Sequence, residues 1–183
     1  MTTSAHWRIN LDELGARPGS SLRIERTITL PEGWGTDVVG FRAGSELELD
    51  GSIDRVLDGV YCHLHVSGDA AGECVRCLRP VTVPVRAAIN EMFFNQRAID
   101  QMRAEGDDDT EDLYLISDDV IDVEQAARDN LIADFPFQLL CEADCPGLCP
   151  HCGIDMRQAD ADHHHEIIDP RWAKLAELAK VIE

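Results

Sequence analysis

Apolar and polar residues alternate in four places along the first half of the chain. Between Leu22 and Leu30 the apolar positions are 22, 24, 28 and 30, a period of two broken once by Arg26. The stretch 46–53 repeats the pattern, and so does 60–66, through Val60, Cys62, Leu64 and Val66. A fourth run, Val81 to Val85, follows a cysteine pair. Glycines at 33–35, 44, 51, 59 and 68–72 break the runs where turns are needed. Strands that are apolar on one side only belong in an antiparallel sheet with one solvated face. The pattern therefore predicts a curved antiparallel sheet or partial barrel over residues 1–98.

The second half changes period. From Asp100 to Glu124 there are eleven acidic residues and one basic residue, Arg103, and residues 99–118 read as a solvated acidic loop with a short strand-like piece at 113–117. A helix is expected to begin near Asp122, because Val123, Ala126, Ala127, Leu131 and Ile132 keep helical spacing, and to stop before Pro136. A last helix is expected from Pro170, carrying Trp172, Leu175, Leu178, Ala179 and Ile182. The fold class is thus α+β. Residues 119–183 form a helical and cysteine-rich part packed on the sheet, one domain overall.

Charge narrows the function classes. The net charge is −19, divided as −3 over residues 1–98 (ten basic against thirteen acidic) and −16 over the remainder (six against twenty-two). Such a surface repels phosphate, so DNA is not an expected partner. A basic protein is. No apolar run approaches the ~18 residues of a membrane helix, and the first residues lack a signal peptide's apolar core. The expected setting is cytoplasmic, with reduced thiols and no membrane partner.

Six of the seven cysteines are clustered: Cys74 with Cys77, Cys141 with Cys145, and Cys149 with Cys152, the last followed by Gly153. C-x-x-C turns converge two thiolates on one ion, and zinc, tetrahedral and redox-inert, suits them. Structural Zn2+, one ion or two, is the expected cofactor. Six sulfurs do not divide into tetrahedral sites, and two partitions follow. In the first, Cys74, Cys77, Cys149 and Cys152 form a ribbon-like site, leaving Cys141 and Cys145 spare. In the second, Cys74 and Cys77 join Cys141 and Cys145, while Cys149 and Cys152 recruit His163 and His165 from the run 163–165. The second uses every clustered cysteine. Against it stands the plain reading of that histidine run as solvated. His63 and His65 are expected on the outer sheet face, His151 as a spacer, and Cys62 as a small core residue.

Other chemistries find less support. A redox C-x-x-C sits at a helix N-terminus, yet Cys77 is followed by Leu78-Arg79-Pro80 and a strand pattern. No nucleophile elbow or phosphate-binding glycine loop occurs, and the reading is non-enzymatic. A redox-regulated zinc chaperone or thiol oxidoreductase is one alternative. The other is an RNA-binding zinc module, with a local patch from Arg76, Arg79, Arg86 and Arg97 as its route to direct RNA contact.

The motifs Cys74-Val75-Arg76-Cys77-Leu78 and Gly147-Leu148-Cys149-Pro150-His151-Cys152-Gly153, followed by Asp169-Pro170-Arg171, resemble those of a bacterial family. It is the YceD-like family of large ribosomal RNA subunit accumulation proteins, and the resemblance spans roughly residues 20 to 180. It implies a role in accumulation of large-subunit ribosomal RNA and in assembly of that subunit. Genes of the family commonly neighbour one for a small zinc-binding ribosomal protein, and shorter relatives lack the later knuckle, which implies pairing of Cys74 and Cys77 with Cys141 or Cys145. Other relatives carry C-x-C where this chain has histidines. Taken with the charge, the expected partner is a basic ribosomal protein or another assembly factor.

Overall fold

In the computed structural model, which describes residues 5–106 and 110–165, the four alternating runs become the body of one curled antiparallel sheet. After a 3-10 turn at Ala5–Trp7, the chain forms β1 (Arg8–Asn10), β2 (Ser21–Thr29), β3 (Trp34–Gly35), β4 (Val39–Phe41), β5 (Glu46–Arg55), β6 (Gly59–Glu73) and β7 (Pro80–Phe94). Helix α1 (Gln96–Ala104), strands β8 (Tyr114–Leu115) and β9 (Val120–Asp122), and helix α2 (Glu124–Ala133) follow.

Strands β6 and β7 make a long hairpin, paired from Gly59 with Phe94 to Glu73 with Pro80. Along its other edge β6 pairs first with β5, over 60–67, and then with β4 at Ala71 and Gly72. Strand β2 extends the sheet beyond β5, while β8 adds to β7 in parallel. A separate two-stranded ribbon joins β1 to β9. Gly51, at φ +144°, lies opposite Leu64 in this sheet; a Cβ there would sit 2.2 Å from the His63 carbonyl oxygen. Only glycine permits that approach, and kinks of this type curl a sheet.

The inner face is dry. Leu47, Leu49, Ile53, Val60, Leu64, Val66 and Ile89 are buried on it, and α2 closes it with Ala126, Ala127 and Leu131. Trp7 and Trp34 stack at 5.0 Å between ring centroids, with the Arg128 guanidinium over Trp34. Arg26, the interruption in β2, shares the inward register but stays exposed and donates from Nη1 to the Arg8 carbonyl at 3.0 Å. Cys62 is fully buried, and His63 and His65 lie on the outer face beside Asn90 and Asp50.

One expectation changes. The acidic segment expected as a loop over 99–118 is helical up to Ala104. Asn95 caps the helix by accepting from the Ala98 N–H, and Ala98 and Ile99 are buried. Gln96 and Gln101 donate to Asp100 and Glu105 one turn on, side-chain pairs that support the helix. The helix expected near Asp122 begins at Glu124, whose N–H donates to the Asp122 carboxylate at 3.0 Å. Residues 107–109 and the helix expected from Pro170 lie outside the described residues.

Candidate metal centre

The tip of the β6–β7 hairpin is the segment Cys74–Arg79 itself. Its turn is closed by two backbone bonds, Leu78 N–H to the Cys74 carbonyl at 2.8 Å and Cys74 N–H to the Arg79 carbonyl at 2.8 Å. The segment at Cys149 repeats both: Gly153 N–H to the Cys149 carbonyl at 2.9 Å, and Cys149 N–H to the Ile154 carbonyl at 2.8 Å. The two knuckles are one local structure built twice. It requires a left-handed residue after the second cysteine, supplied by Gly153 at φ +74° and by Leu78 at φ +58°.

Further backbone bonds seat the hairpin tip on the cysteine-rich segment. The Val75 N–H donates to Leu139 at 2.9 Å, the Leu148 N–H donates to Arg76 at 3.0 Å, and the Arg76 side chain donates to the Cys145 carbonyl at 2.9 Å. This docking brings Cys74, Cys77, Cys141 and Cys145 together, all ligand atoms within 4.8 Å of one another. Cys149, Cys152, His163 and His165 form a second group that meets the same bound. The arrangement is the second partition; the ribbon-like grouping of Cys74 and Cys77 with Cys149 and Cys152 does not form. Within the histidine run, His163 and His165 turn into the group. His164 turns to the Asp162 carbonyl at 2.7 Å, and His151 only packs against the His165 ring.

The distances test whether an ion fits. A tetrahedral zinc with bonds of ~2.3 Å to sulfur and ~2.05 Å to nitrogen places two sulfurs ~3.8 Å apart, sulfur and nitrogen ~3.5 Å, and two nitrogens ~3.3 Å. Cys74 and Cys145 are separated by 3.8 Å and Cys77 and Cys141 by 3.6 Å. Cys152 Sγ lies 3.6 Å from His163 Nε2, and the Nε2 atoms of His163 and His165 lie 3.2 Å apart. These separations suit a shared ion and are far from a disulfide's ~2.05 Å. Each group offers four protein ligands, the closed donor set of a structural site. The first is buried at three of its four residues, whereas the second exposes Cys152 and His165.

Local electrostatics lower thiols in both groups: Cys74 and Cys77, the latter chiefly through the Arg79 backbone N–H, in the first, and Cys149 in the second. Burial pushes the Cys74 thiol up, but the backbone N–H groups of Cys141, Arg76 and Cys77 bring it down to about 6. The His163 imidazole, with the backbone N–H groups of His151 and Cys152, brings Cys149 to about 6. Burial and the neighbouring sulfurs push Cys141 up instead. A cation bound at either group would displace the protons that remain on its thiols.

Arginines line the first group. Arg79 Nη2 lies 3.8 Å from Cys141 Sγ, while Arg157 Nη2 donates to Cys141 Sγ at 3.1 Å and Cys145 Sγ at 3.2 Å. Sequence reasoning missed Arg157; its one signal is that it stands alone as a basic residue between Gly153 and Asp169. Arg76, Arg79 and Arg86 contact the Cys145 carbonyl, Cys141 Sγ and Asp50 respectively, and all three remain exposed, as does Arg97. The first C-x-x-C lies in a hairpin turn and not at a helix N-terminus, unlike a redox motif. Among the described residues, no helix is long and apolar enough to cross a membrane.

The family model for the large ribosomal RNA subunit accumulation protein YceD matches residues 62–179, a span that contains both groups. An uncharacterized protein of Mycobacterium tuberculosis is 36% identical over 171 residues, covering 93% of this chain and 80% of its own. One of Mycobacterium leprae is 31% identical, covering 92% and 76%. The uncharacterized protein YlbN of Bacillus subtilis is 25% identical, covering 92% and 94%. No solved structure shows a significant match. With a match over most of its length, including every clustered cysteine, the chain belongs to the YceD family of large ribosomal RNA subunit accumulation proteins.

Proposed function

We infer that this chain is a non-enzymatic, zinc-stabilised factor for accumulation of large-subunit (23S) ribosomal RNA and assembly of the large ribosomal subunit in the cytoplasm. The observation that carries this reading is the family match across residues 62–179. The metal part rests on two sets of four ligand atoms, each with two separations that match a tetrahedral edge. Bound zinc supplies no reactive chemistry there. It ties the hairpin tip to the segment 141–152, and the thiolates and imidazoles hold the tail against the sheet.

The partner follows from charge. A surface of net charge −19 is repelled by RNA phosphates and drawn to a basic ribosomal protein or a basic assembly factor. In cells depleted of the protein, the ratio of large- to small-subunit ribosomal RNA should fall, and the wild-type gene should restore it. An unchanged ratio would refute the assignment. A tagged wild-type chain should capture a basic ribosomal protein or assembly factor in proportions that decline as salt is added. Salt-independent capture would refute the electrostatic account.

A further inference from the structure

We propose that Arg157 couples the two metal sites, so that filling the Cys149–Cys152–His163–His165 site tightens metal binding at the Cys74–Cys77–Cys141–Cys145 site. The inference rests on the reading that both groups take metal. Arg157 stands in the loop between Cys152 and His163, so its backbone is bracketed by ligands of the second site. Its side chain reaches back to the first. Nη2 donates to two sulfurs there, Cys141 at 3.1 Å and Cys145 at 3.2 Å, while Nε donates to Glu142 Oε1 at 2.8 Å. Asp155 secures the near end, accepting from the Arg157 N–H at 3.0 Å; it bridges to Leu148, whose N–H donates to the Arg76 carbonyl at the hairpin tip.

Charge explains the direction in which the arginine leans. A divalent ion on four thiolates leaves a net −2, whereas two thiolates and two neutral imidazoles balance the same ion. Only the first site needs outer cations, and Arg157 and Arg79 provide two. A guanidinium held by a closed loop loses less entropy on pairing than one on an open loop. Closing the second site therefore lowers the cost of the Arg157 contact. By linkage, each site then strengthens the other by the same factor.

The test uses the full chain with cobalt(II), whose thiolate charge-transfer bands distinguish four sulfur ligands from two. First-site affinity is read by chelator competition in five proteins: wild type, Arg157→Gln, Arg157→Lys, the His163→Ala/His165→Ala pair, and Arg157→Gln combined with that pair. Outer-sphere partners of metal ligands are worth roughly 10–100-fold in affinity. Arg157→Gln should weaken the first site at least about tenfold within that range, with Arg157→Lys intermediate because it keeps the charge but not the fork. The histidine pair should produce a similar loss, and the triple variant no more than the larger single effect. Losses that multiply, or a first site unchanged in Arg157→Gln, overturn the coupling while the metal reading stands. A wild-type chain that binds no metal overturns both.

Discussion

The first candidate metal site spans far more chain than the second, and on the proposed reading this would make their contributions to stability unequal in a calculable way. Cys77 and Cys141 are 64 residues apart, whereas Cys152 and His163 are 11 apart. Treating each metal tie as a cross-link, closure of the longer loop removes ~4.3 kcal/mol of unfolded-state entropy and closure of the shorter ~2.8 kcal/mol. Alanine replacements avoid burying an unpaired hydroxyl. Cys77→Ala should therefore cost ~1.5 kcal/mol more than Cys152→Ala when zinc is in excess and the remaining site stays filled. With a urea slope of ~2 kcal/mol/M, the two midpoints should differ by ~0.8 M. Tryptophan fluorescence reports the transition through the stacked Trp7 and Trp34. Amide exchange adds a regional readout: Cys77→Ala should release residues 139–157 while β6 and β7 stay protected. Coincident midpoints, or a lower midpoint for Cys152→Ala, would show that loop closure is not how the metal stabilises this fold.

Chelator added to the zinc-loaded chain should strip the second site first, because Cys152 and His165 are exposed while three residues of the first site are buried; two-phase release followed by native mass spectrometry checks the order. Ala127→Leu should cost about 1–3 kcal/mol by overpacking where α2 meets the sheet, read as a lowered urea midpoint. Burial, then Asp54 and Glu91, pushes the Cys62 thiol from 9.0 up to about 12. The unfolded chain thus loses this proton first, and the stability tied to it is complete below pH 9.0 and disappears as pH rises toward about 12. Cys62→Ala should flatten the alkaline fall in stability relative to wild type, and parallel curves for the two proteins would contradict this.

The sheet was legible because long strands declare themselves. Leu22 to Leu30 and Val60 to Val66 each show several turns of the two-residue period. Strands β1, β3, β4 and β9 have at most three residues, too few to show any period. Helix α1 was obscured by the acidic run that follows it, although Asn95 followed by Ala98, Ile99 and Met102 carries a cap and an apolar stripe. The sulfur ligands stood out by spacing alone, but their grouping did not. Spacing says which cysteines share a turn; only the docking of the hairpin tip against 139–148 decides which turns share a centre. Arg157 was invisible for the same reason, since its partners lie in sequence on the far side of the second knuckle.

The placement of the first knuckle at a hairpin tip also sets a timetable for biosynthesis. At ~5–20 residues per second, Cys141 is made roughly 3–13 s after Cys77. In that interval β2, β5, β6 and β7 have all been made, and sheets of this size form within milliseconds to seconds. The nascent chain thus carries a folded sheet with an open dithiol at its corner, waiting for its second pair of ligands. On the proposed reading, a metal at the first site would arrive as the last fastening of an existing shape, and metal starvation should leave a sheet with a loose tail in place of an unfolded chain.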